Sequence, residues 1–87
     1  MPLVELYGQA RLLAGVKSVA VDGHTVGEAL RALAERFPAL VGVAMEAGGA
    51  PTQAYAVNLN GLRFCTDLAQ PVSAGDELLL ISSLAGG

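Results

Sequence analysis

One segment of this 87-residue chain commits to a long helix, and the remainder must be arranged around it. Thr25-Val26-Gly27-Glu28 has the S/T-x-x-E form of a capping box, in which a hydroxyl and a carboxylate satisfy amide donors that a first helical turn leaves orphaned. Behind it Val26, Ala29, Leu30, Leu33, Ala34 and Phe37 recur at i, i+3, i+4, i+7, i+8 and i+11, an unbroken apolar stripe. Glu28, Arg31, Glu35 and Arg36 point elsewhere. Pro38 disfavours helical geometry at Phe37, so the spacing predicts a helix over about residues 25–37. Leu40 to Glu46 is expected to add a shorter helical piece, and Gly48-Gly49-Ala50-Pro51 a loop.

The other segments read as short strands. Leu3 to Tyr7 alternates Val4 and Leu6 against Leu3, Glu5 and Tyr7. Gly8 and Gly15 bracket a turn of helix or a wide loop, after which Ser18 to Asp22 resumes alternation through Val19 and Val21. Tyr55 to Asn60 alternates again, Asn60-Gly61 is a hairpin signal, and Leu62 to Cys65 can pair back. A last strand, Glu77-Leu78-Leu79-Leu80-Ile81, follows the Ala74-Gly75-Asp76 turn. Hairpin, helix and further strands make one α+β domain, a mixed sheet of about four to five strands with one main helix on one face. The last strand is apolar on both faces, yet one helix covers only one. Either Leu79 with Ile81 or Leu78 with Leu80 is therefore left as a partner surface.

Composition narrows the function. With 5 Lys and Arg against 8 Asp and Glu there is no basic stripe, so nucleic acid is not an expected ligand. The uncharged run from Ala47 to Leu62 holds three Gly, a Pro and several amides, so no membrane span is expected. No secretory signal is visible and Cys65 is the only cysteine, which suits a cytoplasmic protein. One His, one Cys and one Lys cannot build a catalytic constellation or a metal site, so neither enzymatic activity nor a bound cofactor is expected of the chain alone. Cys65 reads as a small apolar filler, and His24 and Lys17 as surface residues.

The ending Ser82-Ser83-Leu84-Ala85-Gly86-Gly87 is the remaining unusual feature. Glycines without Cβ can enter a narrow channel and present an unhindered carboxylate. Six residues extend up to about 20 Å, enough to reach a partner's active site as a flexible tail on a domain that ends at residue 81.

In this order, Leu6 to Gly15, Thr25 to Leu30 leading to Phe37-Pro38, Val57 to Gly61, Ala74 to Glu77 and Ala85-Gly86-Gly87 resemble the ThiS/MoaD family of ubiquitin-like β-grasp sulfur carriers. Within that family the chain is most similar to the small subunit of molybdopterin synthase. The resemblance implies a carrier whose Gly87 carboxylate an E1-like adenylyltransferase of the MoeB/ThiF type activates with ATP and converts to a thiocarboxylate, with Gly86, Ala85 and Leu84 forming the tail. The sulfur acceptor would be the molybdopterin synthase large subunit, in molybdenum cofactor biosynthesis, or another sulfur-accepting enzyme. Cysteine, thiamin, tRNA thiolation and secondary metabolism are alternative destinations, and lysine-linked protein modification is another use of the same terminus. Tyr7, Leu62 and Ile81 match positions where related carriers expose apolar side chains to partners, and Arg11 matches a position beside them. Strand parity adds Leu79 to that surface and turns Leu78 and Leu80 to the helix.

Overall fold

A computed structural model describes residues 1–82 of the chain, so Leu84, Ala85, Gly86 and Gly87 lie outside the described residues. Its elements are β1 (Leu3–Leu6), α1 (Gln9–Ala14), β2 (Ser18–Ala20), α2 (Val26–Arg36), a 3-10 turn (Pro38–Leu40), β3 (Tyr55–Leu59), β4 (Arg63–Cys65) and β5 (Glu77–Ser82). The five strands form one sheet in the order β2-β1-β5-β3-β4. β1 and β5 run parallel, pairing Leu3 with Glu77 and Leu6 with Leu80, and every other neighbouring pair is antiparallel. This is the mixed sheet with one main helix that the sequence leads one to expect, in the β-grasp arrangement.

The capping residues place α2. Thr25 is extended and its hydroxyl accepts from the Glu28 amide, while Glu28 Oε1 accepts from the His24 amide at 2.8 Å. The carboxylate thus reaches one residue further back than the Thr25 amide. Val26, Ala29, Leu30 and Leu33 are fully buried in one core with Val4, Leu6, Leu78 and Leu80. Leu78 and Leu80 therefore face the helix, as the resemblance at Ile81 and strand parity together lead one to expect. Burying one such valine or leucine side chain contributes about 1.5–3 kcal/mol, so this layer contact stabilises the fold.

Leu40 to Glu46 does not form the expected helical piece. The only helical turn there comes earlier, at Pro38–Leu40. Gly42 takes φ 87°, outside the helical region, and its amide donates to the Met45 carbonyl. The chain folds back on itself, and Leu40, Ala44 and Met45 all enter the core.

That loop is pinned at Gly49, which has φ 104° and is buried. A Cβ there would stand 2.7 Å from the Gly27 carbonyl oxygen and 3.0 Å from the Arg31 amide nitrogen on α2. At the start of β5, Asp76 accepts from the Ser73 amide at 2.8 Å and from Asn60 Nδ2 at 3.1 Å. Asn60 in turn accepts from the Glu77 amide, so the β3–β4 hairpin is clasped to the turn before β5. The Ser73 amide, then the Asn60 carboxamide, hold the Asp76 carboxyl below its usual 3.8.

Two outcomes follow. Gly49→Ala, strained and overlapping α2 backbone, should lower unfolding free energy by about 1–3 kcal/mol in a urea titration. Because Asp76 has a depressed pKa in the folded chain, its contribution is present above pH 3.8 and is lost as pH falls through the folded value. Asp76→Ala should accordingly flatten the fall in thermal midpoint below that pH, measured against wild type.

Candidate functional site: the uncovered face of the sheet

With α2 on one face, alternate residues of each strand point to the other. In register these are Leu3 and Glu5 on β1, Glu77, Leu79 and Ile81 on β5, Ala56 and Asn58 on β3, and Phe64 on β4. One row across the sheet is Glu5, Leu79, Asn58 and Phe64. The next begins at Ile81 and Ala56. Leu79 and Ile81 are half-buried, whereas Phe64 is 59% exposed. A contiguous apolar strip thus lies open on the face away from the helix.

Tyr7 and Arg11 border this strip at the end where β5 finishes. Tyr7 follows β1, and its amide donates to the Leu80 carbonyl. Arg11, on α1, donates from Nε to the Leu6 carbonyl at 2.7 Å and sets its guanidinium 5.1 Å from the centre of the Tyr7 ring. Its position is thereby fixed, leaving a charge beside Tyr7. Partial desolvation of the phenol, then hydrogen bonding to Glu5 and the charge of that carboxylate, raise the Tyr7 pKa above its ordinary 10.0, with Arg11 opposing. Tyr7 stays neutral at physiological pH.

Beneath this corner is a residue that strand alternation marks only as core. The buried Tyr55 hydroxyl accepts from the Ala10 amide at 2.9 Å and donates to the Tyr7 carbonyl at 3.2 Å. It ties α1 and the end of β1 to β3 beside Ser82, its partner across the ladder.

The structure brings Tyr7, Arg11 and Ile81 together, with Leu79 one step further along β5. Leu62 lies elsewhere, at the hairpin tip near Glu77 and the far end of β5. Asn60 and Gly61 both take positive φ, and the Leu62 amide closes the turn on the Leu59 carbonyl. The ladder then pairs Leu59 with Arg63, so Leu62 is an extra, unpaired residue and is 84% exposed. Two members of this surface were not singled out from sequence: Phe64 and Asn58. The period-two alternation of β3 and β4 carried the signal for both, but only once the hairpin register was known.

Among the described residues no group of three or more His, Cys, Asp or Glu is placed to hold a metal ion, and no helix is long and apolar enough to cross a membrane. Cys65 is buried as a core filler. The geometry offers a binding face.

A family model described as the ThiS family matches residues 4–87. The chain belongs to the ThiS family. Among solved structures this ThiS-family chain is similar to SAMP1 from Haloferax volcanii, with 34% identity over 98% of this chain and 97% of that one, and a TM-score of 0.77. It shares its fold with the small archaeal modifier protein 1 from Methanosarcina acetivorans, at 23% identity, coverage of 98% and 94%, and a TM-score of 0.83. A chain of the Amycolatopsis orientalis BexX/CysO complex matches over the full length of both chains, at 23% identity and a TM-score of 0.79. A search of curated proteins finds no match. The ThiS-family build is that of a small ubiquitin-like carrier or modifier.

Tyr55→Phe should leave the Ala10 amide unpaired and lower unfolding free energy by about 1–3 kcal/mol, read by denaturant titration. Amide exchange should accelerate first along α1.

Proposed function

We propose that the chain is a sulfur carrier. The observation that carries this reading is the ThiS-family match running through Gly87, with an uncovered apolar face on the body of the domain as the place for a partner. In this reading Gly87 ends in a carboxylate, and Leu84, Ala85 and Gly86 form the segment that leads it into the partner's active site. An unactivated carboxylate is a poor electrophile. An E1-like adenylyltransferase of the MoeB/ThiF type therefore joins it to AMP from ATP, releasing pyrophosphate, and a sulfur donor then displaces AMP to leave a thiocarboxylate. The chain supplies the acyl terminus and the docking face, and the partner supplies the catalytic groups. Tyr7, Arg11, Leu79 and Ile81 form the contact surface at the end of β5, and Leu62 a separate contact at the start of β5.

The acceptor we assign is the large subunit of molybdopterin synthase, on the resemblance of the motifs from Leu6 to Gly15 and from Thr25 to Leu30 to the small subunit of that enzyme. A solved complex containing a chain of this fold, BexX with CysO, supports heteromeric docking as the working mode of such a domain. A second reading has an observation in its favour. At 34% identity to SAMP1, the chain is also suited to be a protein modifier joined through Gly87 to lysines.

Intact-mass spectrometry after incubation with its E1-like enzyme, ATP and a sulfur donor should show one oxygen replaced by sulfur, and deletion of Gly87 should abolish the change. Ile81→Arg should slow the conversion about tenfold or more without lowering the thermal midpoint. A competent E1-like enzyme that forms neither adenylate nor thiocarboxylate would sink the reading. Lysine-linked adducts in the cell would establish the modifier use.

A further inference from the structure

Among the described residues Asn58 is a buried side-chain amide, at 8% exposure. Its Oδ1 is shielded from solvent and has no hydrogen-bond partner. Such groups are uncommon, because burying an acceptor without a donor costs free energy that an apolar residue of similar shape would not. The fold gives no reason for the amide: Asn58 faces away from the helix, directly across from Leu79 on one side and Phe64 on the other. The amide is therefore kept for something absent from the isolated chain.

The surroundings indicate what that is. Across the ladder the diagonal neighbours of Asn58 on β5 are Glu77 and Ile81. On the outward positions of the three central strands, β1, β5 and β3, the charged residues are Glu5 and Glu77, both carboxylates. An orphaned acceptor with a carboxylate on its diagonal favours a donor that is also a cation. A neutral donor would leave Glu77 desolvated and unpaired under the partner, and a partner carboxylate would be repelled.

We propose that the protein docking on this face inserts a guanidinium or ammonium group, its aliphatic stem along Leu79 and Phe64, that donates to Asn58 Oδ1 and pairs with Glu77. This rests on the docking reading given above and deepens it: the apolar strip supplies contact area, and Asn58 fixes which partner fits. Because the oxygen is shielded in the free chain, docking includes a side-chain rearrangement at the patch, a common event at interfaces.

The test compares wild type, Asn58→Leu and Glu77→Gln in thermal unfolding of the free chain and in calorimetric titration against the purified E1-like enzyme at low and high salt. Asn58→Leu should melt above wild type yet bind about tenfold or more weakly. Glu77→Gln should bind more weakly at low salt and show a smaller salt dependence. Asn58→Leu melting below wild type would make the amide a structural group and overturn the proposal, as would Asn58→Leu binding as tightly as wild type. A wild-type chain that does not bind the enzyme would overturn the docking reading itself, a result distinguishable from either.

Discussion

The structure depends on the parallel pairing of its first and last strands. Val4 and Leu6 on β1 lie beside Leu78 and Leu80 on β5, all four fully buried. No local turn can bring these strands together, since more than seventy residues separate Leu3 from Glu77. The core beneath α2 must assemble around them, which raises the mean sequence separation of contacts and slows folding relative to a helical domain of this size. Placing β5 at the centre of the sheet explains its composition. A strand with neighbours on both sides must be apolar toward the helix, and here it is apolar toward the other face as well.

That second face is the one we propose as the docking surface. One helix of eleven residues cannot cover both sides of a five-stranded sheet. The uncovered side is not left uniformly greasy: Glu5 and Glu77 interrupt it, and the hairpin tip adds Leu62 as an extra residue outside the ladder. The clasp of Asp76, Asn60 and Ser73 holds one end of β5 in register, while the Tyr55 hydroxyl holds the other end through α1 and Tyr7. Under the docking proposal such rigid supports help, because less ordering remains to be done on binding.

Much of this was legible in the sequence because it followed local rules. The capping box at Thr25, the stripe from Val26 to Leu33 and the Asn60-Gly61 turn depend on residues a few positions apart, and all three appear in the structure. The inward orientation of Leu78 and Leu80 followed from the family resemblance at Ile81 combined with parity on one strand. What escaped depended on non-local pairing. Leu40 to Glu46 has the apolar content of a helix, but Gly42, at positive φ and bonded through its amide to the Met45 carbonyl, folds it into a turn. Leu62 is an exposed apolar residue as expected, yet only the antiparallel register of β3 on β5 shows that it sits far from Tyr7 and Ile81. Phe64 joins the face beside Asn58 through the bulge at Leu62, whose one-residue offset sets which side chains of β4 turn outward.

β3 shows how the two requirements coexist in five residues. Tyr55 points inward, and its hydroxyl both donates and accepts, joining three segments of the fold. Asn58 points outward, and its buried Oδ1 makes no bond. Both are polar, both are buried, and they differ in whether the isolated domain satisfies them. A residue selected for folding leaves no such debt, since a satisfied buried network rigidifies the state that contains it. A residue selected for recognition can leave its oxygen unpaired in the free chain, because the matching donor comes with the partner. Alternation along one strand therefore separates the positions at which substitution should register as stability from those at which it should register as binding.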